Sequence, residues 1–105
     1  MFTVIETPTF SRLCADYCTE DERGAFAAWI AAHPEAGDVI PGAGGCRKVR
    51  WSRSGMGKRG GVRVIHYNQL ADGRIYLLLI YAKGVQDNIA PQVLLKIKEA
   101  LNAHD

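Results

Sequence analysis

Residues 44–67 read GGCRKVRWSRSGMGKRGGVRVIHY, and this stretch has the pattern of a β-hairpin. Both ends alternate charged with apolar residues, which is typical of strands that bury one face. The middle is rich in glycine and lacks this alternation, as expected for the tip that joins two strands. We therefore predict strands over residues 46–52 and 62–68.

Positive charge is concentrated in the same stretch. Residues 47–63 carry seven basic side chains and no acidic one, whereas residues 1–46 carry a net charge of −5 and residues 64–105 are neutral. The formal total of +2 therefore describes a strongly dipolar molecule. We expect a polyanion to bind the hairpin and to be repelled by the N-terminal segment.

Two more strands and a loop are indicated outside the hairpin. Thr3–Glu6 is a short β-prone segment, and Arg74–Ala82 is apolar on both faces, which is typical of a central strand. Residues 71–73 carry the turn signal that precedes this strand. Residues 34–45 are rich in turn formers and show no period, so we predict a loop there.

Helix-start signals occur at Thr7 and Thr19. Thr7 precedes Pro8, which suits the first helical position, and Thr19 is followed three residues later by Glu22, which completes a capping box. Apolar residues at helical spacing continue both segments, and residues 90–102 show the same period. The predicted order is β-α-α-β-β-β-α, an α+β fold with a mostly antiparallel sheet, an N-terminal helix pair and a C-terminal helix packed on it.

Length and composition indicate one domain over residues 1–105. The sequence has no apolar run near the about 20 residues that a membrane span needs, and it begins without the features of a secretory signal. The three cysteines, Cys14, Cys18 and Cys46, are therefore expected as reduced thiols. Cys and His do not recur at zinc-site spacing, so we expect a cytoplasmic protein with no metal, no cofactor and no membrane partner.

Residues 55–60, GMGKRG, match the G-x-G-x-x-G pattern of nucleotide-binding loops. A dinucleotide loop opens a helix, but these glycines lead into a predicted strand, and a kinase loop needs further motifs that this chain lacks. A P-loop requires Ser or Thr where Arg59 stands. We interpret the segment as a loop whose backbone approaches phosphate closely, with Lys58 and Arg59 supplying charge.

Strand parity places Lys48 and Arg50 on one face of the first hairpin strand, with Arg63 beside them on the next. Clustered cations repel one another and indicate an anionic ligand, although a solvated, charged hairpin face explains the composition too. Such a face suits metal-free RNA cleavage by the 2′-hydroxyl, which needs in-line placement, proton carriers and cations for the phosphorane.

Three aromatic side chains are available as further donors or stacking surfaces for RNA, namely Tyr67, Tyr81 and His66. His66 has the opposite strand parity to Arg63, which argues against a catalytic role. Tyr81 ends the central strand, where a buried structural role and a functional role are equally compatible with the sequence.

A family resemblance rests on three segments: GGCRKVR at 44–50, GMGKRGGVRVIHY at 55–67 and IYLLLIYAK at 75–83. With this order of elements, the chain resembles the RelE/HigB-type toxins of bacterial toxin–antitoxin modules, especially the HigB-like branch with a GKRGG loop. The resemblance implies a RelE-like fold and a ribosome-dependent mRNA interferase, an endoribonuclease without cofactor. It also implies the ribosome, mRNA and a cognate antitoxin, often of helix-turn-helix type, as partners, with DNA reached only through the antitoxin.

The resemblance also implies roles for particular residues. Catalytic positions match Lys48 and Arg50 on the first basic strand, Arg63 on the next strand, and Lys83 after the central strand. RNA or phosphate contacts are expected from Arg47, Arg53, Lys58, Arg59 and Tyr67.

The chain departs from the family pattern at two positions. Gly84 stands where an arginine follows the lysine in well-known RelE toxins, and Ala90 lies near the place of their catalytic tyrosine. The proton-transfer partner is therefore open, with Lys58, Arg59 or Lys83 as substitutes. A ParE-like gyrase inhibitor, a plain RNA-binding protein and an inactive toxin are the alternatives, because fold alone does not fix function.

Overall fold

The computed structural model describes residues 2–52, 61–82 and 90–102. Within these ranges the chain forms an α+β structure of five strands and three α-helices, with a 3-10 turn at Leu70–Asp72. The strands are β1 (Thr3–Glu6), β2 (Asp38–Val39), β3 (Arg47–Ser52), β4 (Gly61–Gln69) and β5 (Arg74–Ala82). The helices are α1 (Pro8–Cys14) and α2 (Glu20–Ala32), which follow β1, and α3 (Pro91–Asn102), which follows β5.

The five strands form one mixed sheet in the order β1-β5-β4-β3-β2. The pairings β2–β3, β3–β4 and β4–β5 are antiparallel, whereas β1 pairs with β5 in parallel. The prediction of a mostly antiparallel sheet is thus confirmed, and the apolar strand β5 lies inside it as predicted. Among the described residues, no helix is long and apolar enough to cross a membrane.

Both N-terminal helices begin where the capping signals predicted. The Thr7 hydroxyl accepts a hydrogen bond from the Phe10 amide at 3.2 Å and donates to the Leu77 carbonyl at 2.9 Å, which ties the start of α1 to β5. Thr19 and Glu22 form the reciprocal capping box, with distances of 2.8 and 3.2 Å. The cap satisfies backbone donors that have no partner inside the helix.

Helices cover both faces of the sheet. On one face, Phe10 of α1 and Ile30 of α2 are buried against strand residues such as Leu77. On the other face, Leu94 of α3 is buried against Ile65 and Leu78. The cysteines are free thiols, buried at Cys14 and Cys46 and half-buried at Cys18. Burial raises the pKa of Cys14 to about 12, which keeps this thiol protonated.

The predicted loop at residues 34–45 is wrong in one respect, because it contains the edge strand β2. Asp38 pairs with Lys48, and Val39 pairs with Arg47. A strand of two residues is too short to show a period of two, so nothing in its own sequence distinguishes it from a loop. The hairpin tip at residues 53–60 and the segment 83–89 lie outside the described residues. The predictions made for these two segments are therefore not tested by the structure.

Candidate anion-binding site

Three polar side chains form a row across the sheet, on the face that α3 packs against. Arg50 of β3 pairs with Arg63 of β4, and Arg63 pairs in turn with Tyr81 of β5. Directly opposed residues on neighbouring strands have their Cβ atoms about 4.5–5.5 Å apart, so Arg63 lies between a second guanidinium and a phenol ring. The register confirms the prediction that Arg50 and Arg63 share a face.

A β-bulge explains why Tyr81 belongs to this row. The pairing of β4 with β5 shifts between Ile65 and His66, and Leu78 is left without a paired residue at that point. Strict alternation from Leu78 would turn Tyr81 to the opposite face, but the extra residue reverses the alternation beyond it. Tyr81 is 5% exposed and packs in the same cluster as Leu78.

Asp38, Lys48, Arg50, Arg63 and Tyr81 together line one pocket. Its volume is about 220 Å³, below the about 300–1,000 Å³ of typical sites for small organic ligands. A water molecule occupies about 30 Å³ in the liquid, so the pocket has room for a phosphate group and part of a sugar, not for a whole nucleotide.

Charge in this pocket is unbalanced. It contains three cationic side chains, and Asp38 is the sole carboxylate that lines it among the described residues. No ion pair within 4.0 Å joins Asp38 to any of the cations in the described parts of the chain. Arg50 and Arg63 stand directly opposite each other, an arrangement of like charges that destabilises a sheet. A bound anion would remove this cost.

A wider groove begins beside the pocket. Asp38 and Lys48 line both spaces, and Val39, Pro41 and Pro91 extend the groove away from the arginines. The groove has a volume of about 590 Å³, which is within the range of sites that hold a nucleotide-sized ligand. Val39, one of its lining residues, is 54% exposed. An anionic ligand bound in the pocket thus has space in the adjoining groove for an attached, less polar group.

Arg47 does not line this pocket, and its predicted role in RNA binding stays a prediction. Its guanidinium donates hydrogen bonds to the carbonyls of Glu35 at 2.9 Å and Gly37 at 3.2 Å. In register, Arg47 is paired with His66 on the face that α1 and α2 cover. The side chain therefore fixes the segment that leads into β2.

Tyr67 does not line the pocket either, although it lies on the predicted face of β4. The Lys98 ammonium lies 4.8 Å from the centre of its ring, and the same ammonium donates to the Gly44 carbonyl at 2.9 Å. Tyr67 packs against the core between the sheet and α3. The structure thus gives it a cation–π contact, and the predicted RNA contact stays a prediction.

Four predicted site residues lie outside the described residues, namely Arg53, Lys58, Arg59 and Lys83. The predictions for them stay predictions.

Asp38 is a site residue that was not predicted from the sequence. Its position depends on the segment 34–37, which three side chains hold: Arg47, His66 and Asn68. His66 is fully buried, with Nε2 3.1 Å from the Ala36 carbonyl and Nδ1 2.9 Å from the Asn68 amide oxygen, and Asn68 donates to the Pro34 carbonyl. One signal in the sequence could have indicated this anchoring. Strand alternation places His66, Asn68 and Arg47, three polar side chains, on an otherwise apolar face of the sheet.

Burial lowers the pKa of His66, and the hydrogen bonds to Ala36 and Asn68 act in the opposite direction. Its burial and its two hydrogen-bond contacts give this histidine a structural role, as its strand parity suggested. Its function in the fold is to fix the approach to β2, and hence the carboxylate of Asp38.

No family model matches the chain. Among the described residues, His, Cys, Asp and Glu do not form a group of three that could hold a metal ion. The site itself offers arginine forks suited to phosphate oxygens, one ammonium, one phenol and one carboxylate. Such a set can bind a phosphodiester, stabilise added charge on it and exchange protons with it.

Proposed function

We propose that this protein is a ribosome-dependent mRNA interferase of the RelE/HigB type, the toxin component of a bacterial toxin–antitoxin module with a RelE-like fold. The observation that carries the proposal is the convergence of Lys48, Arg50 and Arg63 in one phosphate-sized pocket. An electropositive pocket on a hairpin flanked by further basic residues suits a nucleic-acid backbone.

The chemistry is transesterification at a phosphodiester of mRNA. The 2′-oxygen of the ribose attacks the adjacent phosphorus, and the charge that grows on the phosphorane is stabilised by Arg63 and Lys48. Arg50 binds a non-bridging oxygen and holds the phosphate in line. Lys83 supports the same charge, and Arg53, Lys58 and Arg59 bind the flanking backbone.

The same basic hairpin suggests the binding partners of the protein. We expect the protein to dock on ribosomal RNA and mRNA in the A site through its basic hairpin. A cognate antitoxin with acidic side chains would neutralise the hairpin, so the toxin–antitoxin complex should weaken with added salt.

The test compares Arg63→Ala with Lys96→Ala, which removes an exposed cation on α3. Loss of one donor to a developing oxyanion typically lowers the rate by about 10²–10³-fold. Arg63→Ala should abolish growth inhibition and mRNA cutting on ribosomes while its thermal midpoint stays close to that of the wild type. Lys96→Ala should remain toxic.

Other outcomes identify the alternatives. Full toxicity of Arg63→Ala contradicts the assignment of the site. An SOS response with intact mRNA indicates a gyrase inhibitor, and RNA binding without cleavage by the wild type indicates a binding protein or an inactive toxin.

A further inference from the structure

Asp38 occupies a special position in the candidate site. It is the shared wall of the phosphate-sized pocket and the wider groove, together with its register partner Lys48. Among the described residues that line the pocket, it is the sole carboxylate, beside three cations that only donate hydrogen bonds and one phenol. The fold gives it this place through a strand of two residues.

The geometry of an RNA strand would place the attacking 2′-hydroxyl close to Asp38. The attacking 2′-hydroxyl belongs to the ribose on the 5′ side of the scissile phosphate, so it lies where the phosphate meets that nucleoside. With the phosphate bound by Arg50 and Arg63, the nucleoside has room in the groove bounded by Val39 and Pro91. The 2′-hydroxyl then lies at the junction of the two spaces, next to Asp38.

We propose that Asp38 is the general base of the reaction, an inference that rests on the proposed function. The Asp38 carboxylate takes the proton as the 2′-oxygen forms its bond to phosphorus. The bond from phosphorus to the 5′-oxygen breaks, and that oxygen takes a proton from water. The products are a 2′,3′-cyclic phosphate and a 5′-hydroxyl, and Asp38 returns its proton to solvent.

This role accounts for two features of the site. The chain lacks the tyrosine and arginine that the family resemblance leads one to expect at Ala90 and Gly84, and Asp38 supplies a proton acceptor from a different strand. Three side chains on the opposite sheet face, Arg47, His66 and Asn68, hold the segment before Asp38. A base must be held within hydrogen-bond reach of the proton it removes, and this anchoring provides that constraint.

The experiment uses Asp38→Asn, which keeps the size of the side chain and removes the proton acceptor, and Asp72→Asn as a control. Asp72 is an exposed aspartate in the 3-10 turn, so the control makes the same chemical change outside the pocket. Single-turnover cleavage of mRNA on ribosomes should fall about 10²–10⁴-fold in Asp38→Asn, the usual contribution of a general base. Asp72→Asn should cleave at the wild-type rate.

A second readout separates a base from a positioning residue. Binding of an mRNA with 2′-deoxyribose at the cleaved nucleotide should be unchanged or tighter in Asp38→Asn, because a negative charge beside the phosphate is removed. A rate within threefold of wild type, or a loss of rate matched by an equal loss of binding, overturns the role of Asp38. Absence of cleavage by the wild type contradicts the nuclease assignment itself.

Discussion

Arg23 of α2 and Arg63 of β4 are both half-buried, yet their surroundings differ. Arg23 donates from Nε to Glu6 at 2.7 Å and from Nη2 to the other oxygen of the same carboxylate, while Ser11 donates to that carboxylate as well. Arg63 faces Arg50 and Tyr81 across the strands. Arg23 thus forms an ion pair within the fold, whereas Arg63 has no ion pair within 4.0 Å among the described residues. Substitutions at the two sites should therefore affect different properties of the protein.

The largest effect on stability is expected from Arg23→Met. This change leaves the Glu6 carboxylate, which is 21% exposed, without its bidentate partner. Hydrogen bonds to charged groups contribute about 1.5–3 kcal/mol, so the free energy of unfolding should fall by about that amount. Urea denaturation measures it. Arg12→Met is the matched control, since Arg12 is an exposed arginine on α1, and it should change stability by less than about 0.5 kcal/mol.

The contribution of the Arg23–Glu6 pair should depend on pH. The hydrogen bond from Arg23 is the main reason that the pKa of Glu6 lies below its usual value of 4.5. A carboxyl whose pKa is lower in the folded than in the unfolded state stabilises the fold above the unfolded value, and this stabilisation is lost as pH falls through the folded value. The stability difference between wild type and Arg23→Met should therefore be constant near neutral pH and shrink below about pH 4.5. A difference independent of pH would show that packing of the arginine stem, not the ion pair, is responsible.

The smallest effect on stability is expected from a substitution in the pocket, and its sign is opposite to that of Arg23→Met. Arg50→Gln removes one of two directly opposed like charges, so the free energy of unfolding should rise by about 0.2–1 kcal/mol. The affinity for a single-stranded RNA should fall, and the slope of log K against log salt should decrease by about 0.7 for each phosphate that is no longer neutralised. Lys96→Gln on α3 serves as the control for net charge. Equal losses of RNA affinity in both variants would show that overall charge, not the pocket, binds the RNA.

Sequence reasoning succeeded where a signal is local. The caps at Thr7 and Thr19 and the shared face of Lys48, Arg50 and Arg63 depend on neighbouring residues and on strand alternation, and all of them were predicted. The hydrogen bonds of Arg47 could not be predicted, because its positive charge and its position in the hairpin give no information on the carbonyls that it contacts ten and twelve residues earlier in the chain.

The missing parts of the site depend on pairing between distant segments. Asp38 enters the pocket through a strand too short to have a pattern, held by side chains about 30 residues away. Tyr81 reaches it through a bulge in β5, where residues on both faces are apolar and alternation carries no information. The clustering of the three basic residues could thus be predicted, while the carboxylate and the phenol beside them required the tertiary structure.

The parallel pairing of β1 with β5 has a consequence for biosynthesis. Thr3–Glu6 pairs with Arg74–Leu77, so the first strand made remains without its sheet neighbour until most of the chain has been translated. Arg63 likewise has Tyr81 as its neighbour on β5, so the pocket cannot be assembled on a nascent chain that ends before this strand. Contacts of such large sequence separation form late, because closing the intervening loop costs entropy first. Translation products that end before residues 74–82 should therefore lack the assembled pocket, and any activity that depends on it should begin only after this strand has been made.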